Sequence, residues 1–151
     1  IIVNSPLMRP MLSGACDAAD QHAAGLNFIR LATPTTDEHR AAKVSEGASG
    51  FIYFVAVTGV TGAGSADPAA IAGQVAMVKR VSGLPVCVGF GVKSGAQAAE
   101  MAKIADGVVV GSAFVEKAQD AHESEKFETA APAMGELAGE LRRALAGVSK
   151  G

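Results

Sequence analysis

The stretch FIYFVAVTGVTGAG, residues 51–64, runs apolar without a break from Phe51 to Val57 and then opens into glycine at 59, 62 and 64. Aromatic and β-branched residues dominate its first half, which is the composition of a strand. The run is continuous rather than alternating, the pattern of a parallel strand covered on both faces. Asp67 and Pro68 come next. They form a side-chain cap followed by a residue already set to helical φ, so a helix is predicted from about Pro68 to Val81. Residues 51–81 therefore read as one strand–loop–helix unit.

The same unit repeats on both sides. Upstream, Ile1–Val3 and Leu26–Leu31 are strand candidates, with helices predicted over Pro10–Ala24 and about Asp37–Ala48. Thr35-Thr36-Asp37-Glu38 fits a capping box at the start of the second helix. Downstream, Pro85–Val88 and Gly107–Val110 are strands, and Ser94-Gly95-Ala96-Gln97 opens a helix with another capping box. A short helix is expected from Ser112, a joining stretch over Gln119–Lys126, and a last helix over about 130–147. Five βα units in succession require a parallel sheet with helical crossovers, so the class is α/β. The 151 residues form one domain by length.

Composition narrows the function. Hydrophobic residues make up 49% and charged residues 19%, which excludes a disordered chain. The longest apolar run falls far below the roughly 18 residues that span a bilayer, so no membrane segment is expected. A net charge of −2 offers no basic stripe for nucleic acid. Cys16 and Cys87 are distant and suggest a reducing, cytoplasmic setting. His22, His39 and His122 have no metal-ligand spacing and read as surface residues. The glycines at 59, 62 and 64 do not have dinucleotide-fold spacing, and no P-loop Gly-Lys-Ser/Thr follows them.

Glycine instead stands directly after three successive strands: Gly59 and Gly62, then Gly89 and Gly91, then Gly111 with Ser112. Such glycines let backbone N–H groups approach an anion, and a helix N-terminus adds unpaired N–H groups and a favourable dipole. In (βα)8 barrels a phosphate site is commonly built from the loops after the last two strands and a short helix. Gly89-Phe90-Gly91 and Gly111-Ser112 match that description.

These segments resemble the tryptophan synthase α chain family. Residues 50–63 resemble its sixth strand and following loop, 84–92 its seventh strand, 105–113 its eighth, and 31–36 the end of its fifth. The resemblance implies a TIM (βα)8-barrel family member, present here as a truncated five-unit parallel portion. It also implies a lyase of tryptophan biosynthesis, which cleaves indole-3-glycerol phosphate by a retro-aldol reaction to indole and glyceraldehyde 3-phosphate. By this resemblance Gly62, Gly89, Gly91, Gly111 and Ser112 hold the substrate phosphate. Tyr53, Thr61 and Phe90 line the cleft. The implied partner is the β chain, in an αββα assembly. Pyridoxal phosphate is expected only on that partner, and no cofactor or metal on this chain.

The family's two catalytic carboxylates belong to its second strand and the loop after it. This chain begins at what resembles the fourth strand, so neither has a counterpart here and the chain alone is expected to be inactive. Asn4 stands where the family usually has Asp, two residues before Pro6 in a segment that helps contact the β chain, and Ala56 stands where Ser is frequent. Asp37 and Glu38 read as capping residues, and Asp106 precedes its strand at the wrong end for catalysis. A barrel of this type needs about 250 residues. Five strands cannot close it, so the chain is expected to self-associate or to need an absent segment. Two other readings stay open: a different phosphate-binding barrel, and a non-catalytic half-barrel that binds phosphate or a partner.

Overall fold

The computed structural model describes residues 25–56, 67–89 and 91–148. The strand expected at Ile1–Val3 and the helix at Pro10–Ala24 lie outside them. In chain order the elements are β1 (Arg30–Ala32), α1 (Glu38–Ser45), β2 (Ile52–Val55), α2 (Pro68–Ser82), β3 (Val86–Gly89), α3 (Gly95–Ala102), β4 (Gly107–Val108), α4 (Ser112–Glu123) and α5 (Ala130–Ala146). A 3-10 turn, Phe127–Thr129, leads into α5. The four strands form one parallel sheet in sequential order, as the repeated βα pattern requires.

Strand pleating divides the sheet into two faces. Ile52, Phe54, Val86 and Val88 are fully buried and belong to one core with Ile71, Val75 and Val78 of α2. The α2 residues fall at i, i+4 and i+7, so a single stripe of that helix meets the sheet. Fully burying each such side chain contributes about 1.5–3 kcal/mol. The intervening residues face the other way: Leu31, Tyr53, Cys87 and Gly107 share a row across the four strands. Leu31 is 59% exposed, and Tyr53 and Cys87 are only half-buried.

The predicted helices hold closely. The capping box expected over Thr35–Glu38 does not form: the cap of α1 is Asp37, which accepts from Arg40 N at 2.8 Å, and Glu38 turns to Arg80 instead. Asp67 caps α2 as expected by accepting from Ala69 N at 3.0 Å. The C-terminal cap of α2 is Gly83 at φ 66°, a left-handed conformation that only glycine adopts without penalty. Helix α5 falls where the sequence placed it and buries Leu137 and Leu141.

β2 and β3 each depart by a residue or two from the expected Phe51–Val57 and Pro85–Val88, and four other boundaries differ. β1 begins at Arg30, not Leu26, because Phe28 and Ser49 bond each other in both directions and draw that segment off the ladder. The helix expected to reach Ala48 ends at Ser45, and Gly47 then turns left-handed. β4 ends at Val108 rather than Val110, although Val109 N still reaches Val88 O at 2.8 Å. Helix α4 is not short. It covers 12 residues and absorbs Gln119–Glu123, more than half of the expected joining stretch, because buried Ala121 anchors its last turn.

Candidate functional site

Parallel strands deliver their following loops to one edge of the sheet, where α/β sites are built. Gly89 ends β3, Gly91 follows two residues later, and Gly111 and Ser112 open α4 after β4. Because β3 pairs with β4, the two glycine loops are neighbours. Gly62, Thr61 and Phe90 lie outside the described residues, as do Asn4 and Pro6. Ala56 is buried at the end of β2.

Tyr53 reaches this edge from β2. A Cβ built on Gly89 would stand 2.8 Å from the Tyr53 Oη and 2.8 Å from Val109 Cβ. Glycine is therefore required at 89 by close packing, and the phenol lies over the end of β3. Burial pushes the Tyr53 phenol up from its ordinary value of 10.0. Gly91 has φ 68°, which turns the chain away from the strand. At Gly111 the opposite condition holds: among the described residues a Cβ there would meet nothing within 4 Å.

The helix N-termini at this edge are not alike. The carboxylate of Asp37 occupies that of α1, and the carboxylate of Asp67 that of α2. At α3, Ser94 Oγ accepts from Gln97 N at 3.4 Å and Glu140 Oε1 accepts from Gly95 N at 2.7 Å. The expected capping box is displaced by one residue, since Gln97 Oε1 accepts from Lys93 N at 2.7 Å. Helix α4 has Gly111 as its cap, no side-chain cap bond and no acidic residue in its first turn. Its first N–H groups lie outside the intrahelical ladder.

The acidic residues weighed as hidden catalysts have structural work. Asp106 Oδ2 accepts from Val86 N at 3.0 Å, and its Oδ1 pairs with Lys79 at 2.7 Å. It fastens the amino ends of β3 and β4, the edge opposite the glycine loops. Glu38 pairs with Arg80 at 3.0 Å across two exposed side chains. His39 and His122 are exposed. Among the described residues no three His, Cys, Asp or Glu side chains gather as a metal site would need, and no helix is long and apolar enough to cross a membrane. A cavity of about 410 Å³ opens between the β1–α1 loop and α2. It shares no residue with the glycine loops, and the Asp37 lining it already caps α1.

Two contacts had no signal in the sequence. Glu140 comes from 45 residues beyond Gly95, and Lys93 Nζ meets Glu116 Oε1 at 2.6 Å over 23 residues. No local pattern announces pairs so distant.

The model of the tryptophan synthase alpha chain family matches residues 10–145. The tryptophan synthase alpha subunit of Legionella pneumophila superposes with a TM-score of 0.73 at 30% identity, covering 87% of this chain and 47% of that one. Tryptophan synthase of Mycobacterium tuberculosis gives 0.67 at 39% identity, covering 85% and 45%. The alpha subunit of Campylobacter jejuni gives 0.58 at 30% identity, covering 78% and 45%. The chain thus spans less than half the length of these structures.

Proposed function

Because the chain belongs to the tryptophan synthase alpha chain family, we propose that it supplies the phosphate-binding end of a barrel that cleaves indole-3-glycerol phosphate. The observation that carries this reading is the bare N-terminus of α4. The chain's own oxygens fill the N-termini of α1, α2 and α3, whereas among the described residues no side-chain oxygen caps α4, which offers its first N–H groups and dipole. No described residue fills the space a Cβ on Gly111 would take, and Ser112 brings a hydroxyl. Gly89 and Gly91 bring the neighbouring loop. By the family resemblance Gly62 also belongs to the phosphate cradle, and Tyr53, Thr61 and Phe90 to the cleft for the indole moiety.

The retro-aldol step needs a base for the hydroxyl proton and an acid at the indole ring. The resemblance assigns both to carboxylates of the second strand and its loop, and this stretch matches strands four to eight. The role proposed for these 151 residues is therefore to bind and orient the substrate through its phosphate. The chain carries no cofactor. A β chain that holds pyridoxal phosphate takes up the indole, in the cytoplasm.

The test is to join this chain to the first three βα units of a family member and assay indole release from indole-3-glycerol phosphate. Indole release is expected. Changing Gly111 to leucine should then raise KM about tenfold or more, since the ligand rather than the fold occupies that space. Absence of indole release would sink the family reaction for this chain. Release with an unchanged KM in the leucine variant would remove Gly111 from the phosphate cradle.

A further inference from the structure

The loop that carries Gly89 and Gly91 has to hold its shape between β3 and α3. Its far end is tied at several points. Val92 is buried at 2% exposure, Lys93 N donates to Gln97, and Gly95 N donates to Glu140 Oε1 at 2.7 Å. The last tie crosses from α5. A Cβ on Gly95 would stand 3.0 Å from Ala144 Cβ and 3.1 Å from Glu140 Oε1, so glycine at 95 lets α5 come close enough for the carboxylate to reach. Leu137 and Leu141, buried on either side of Glu140 along α5, hold that helix in place.

We propose that Glu140 is a positioning residue for the segment from Gly91 to Gly95, so that the last helix described sets the geometry of one side of the anion cradle. This rests on the reading of the glycine loops as the phosphate site. A charge-assisted bond to a backbone N–H is among the stronger hydrogen bonds and fixes direction as well as distance. Here it fixes the first residue of α3, four residues after Gly91. It also places the chain's own carboxylate at the α3 N-terminus, which leaves the neighbouring N-terminus of α4 as the seat for an incoming anion.

The experiment uses the 151-residue chain and two readouts, amide hydrogen exchange by NMR and affinity for glycerol 3-phosphate. Glu140→Ala is expected to speed exchange at residues 91–95 and to weaken affinity, each about tenfold, while Phe54 and Val88 amides stay protected. Glu140→Gln keeps an acceptor oxygen and is expected to stay within about twofold of the parent. Glu136→Ala, one turn earlier on α5, removes the same charge and should change neither readout. Gly95→Ala keeps the carboxylate but forces α5 away, and should act like Glu140→Ala if that variant does not fold. Unchanged exchange or affinity in Glu140→Ala, with the parent binding, overturns the positioning role alone. A parent that does not bind glycerol 3-phosphate overturns the phosphate reading and this proposal with it.

Discussion

The two faces of the sheet come from alternate residues of the same strands, yet they have different tasks. On one face Ile52, Phe54, Val86 and Val88 are fully buried under α2 and its neighbours. On the other, Leu31, Tyr53, Cys87 and Gly107 form a row of mixed size and mostly partial burial. The first face holds the fold by volume and apolar area. The second is fitted side chain to glycine: Tyr53 against Gly89, and Cys87 against Gly107. A single strand such as β2 thus carries a core residue and a cleft residue side by side. Stability and site chemistry can then change independently, one residue apart.

The largest expected effect tests that separation directly. Phe54→Ala should cost about 3–5 kcal/mol in urea unfolding, the range for a buried aromatic truncated in a packed core. Tyr53→Ala, half-buried on the opposite face, should cost less than half as much. Equal costs would mean that the second face is packed as tightly as the first.

A smaller effect sharpens the account of the second face. Gly107→Ala would place its Cβ 2.8 Å from Cys87 Sγ, with only Cys87 within 4 Å among the described residues. Overpacking of this kind should cost about 1–3 kcal/mol. In a Cys87→Ala background the same change should cost little, giving a coupling of at least about 1 kcal/mol. Additive costs would show that the glycine answers to something other than the thiol.

The smallest effect is electrostatic. Tyr53 is the chain's single tyrosine, so its ionisation can be followed by absorbance without overlap. Burial raises its folded value above 10.0. The folded chain therefore keeps the proton at a pH where the unfolded chain releases it. The stability this contributes is complete below pH 10 and is lost as pH rises from 10 through the folded value. A titration midpoint at or below 10 in the folded chain would place the phenol in water rather than against Gly89.

The apolar periodicity, the turn glycines and the caps at Asp37, Asp67 and Ser94 were legible in the sequence because they are local. Each is decided by residues within a few positions, through backbone conformation or a short side-chain bond. The parallel class of the sheet followed from the repeat length alone. Tertiary structure decided everything that depends on distant residues. Phe28 and Ser49 removed four residues from the strand expected over Leu26–Leu31. Ala121 kept α4 helical through a stretch with no strong helical preference. Asp106 became a clasp for β3 and β4 because Lys79 and the Val86 amide stand opposite it. Glu140 reached the loop of Gly91 only because α5 folds back on α3. A hydrogen bond depends on separation in space, and a chain that returns on itself after 45 residues leaves no trace of that separation in its local pattern.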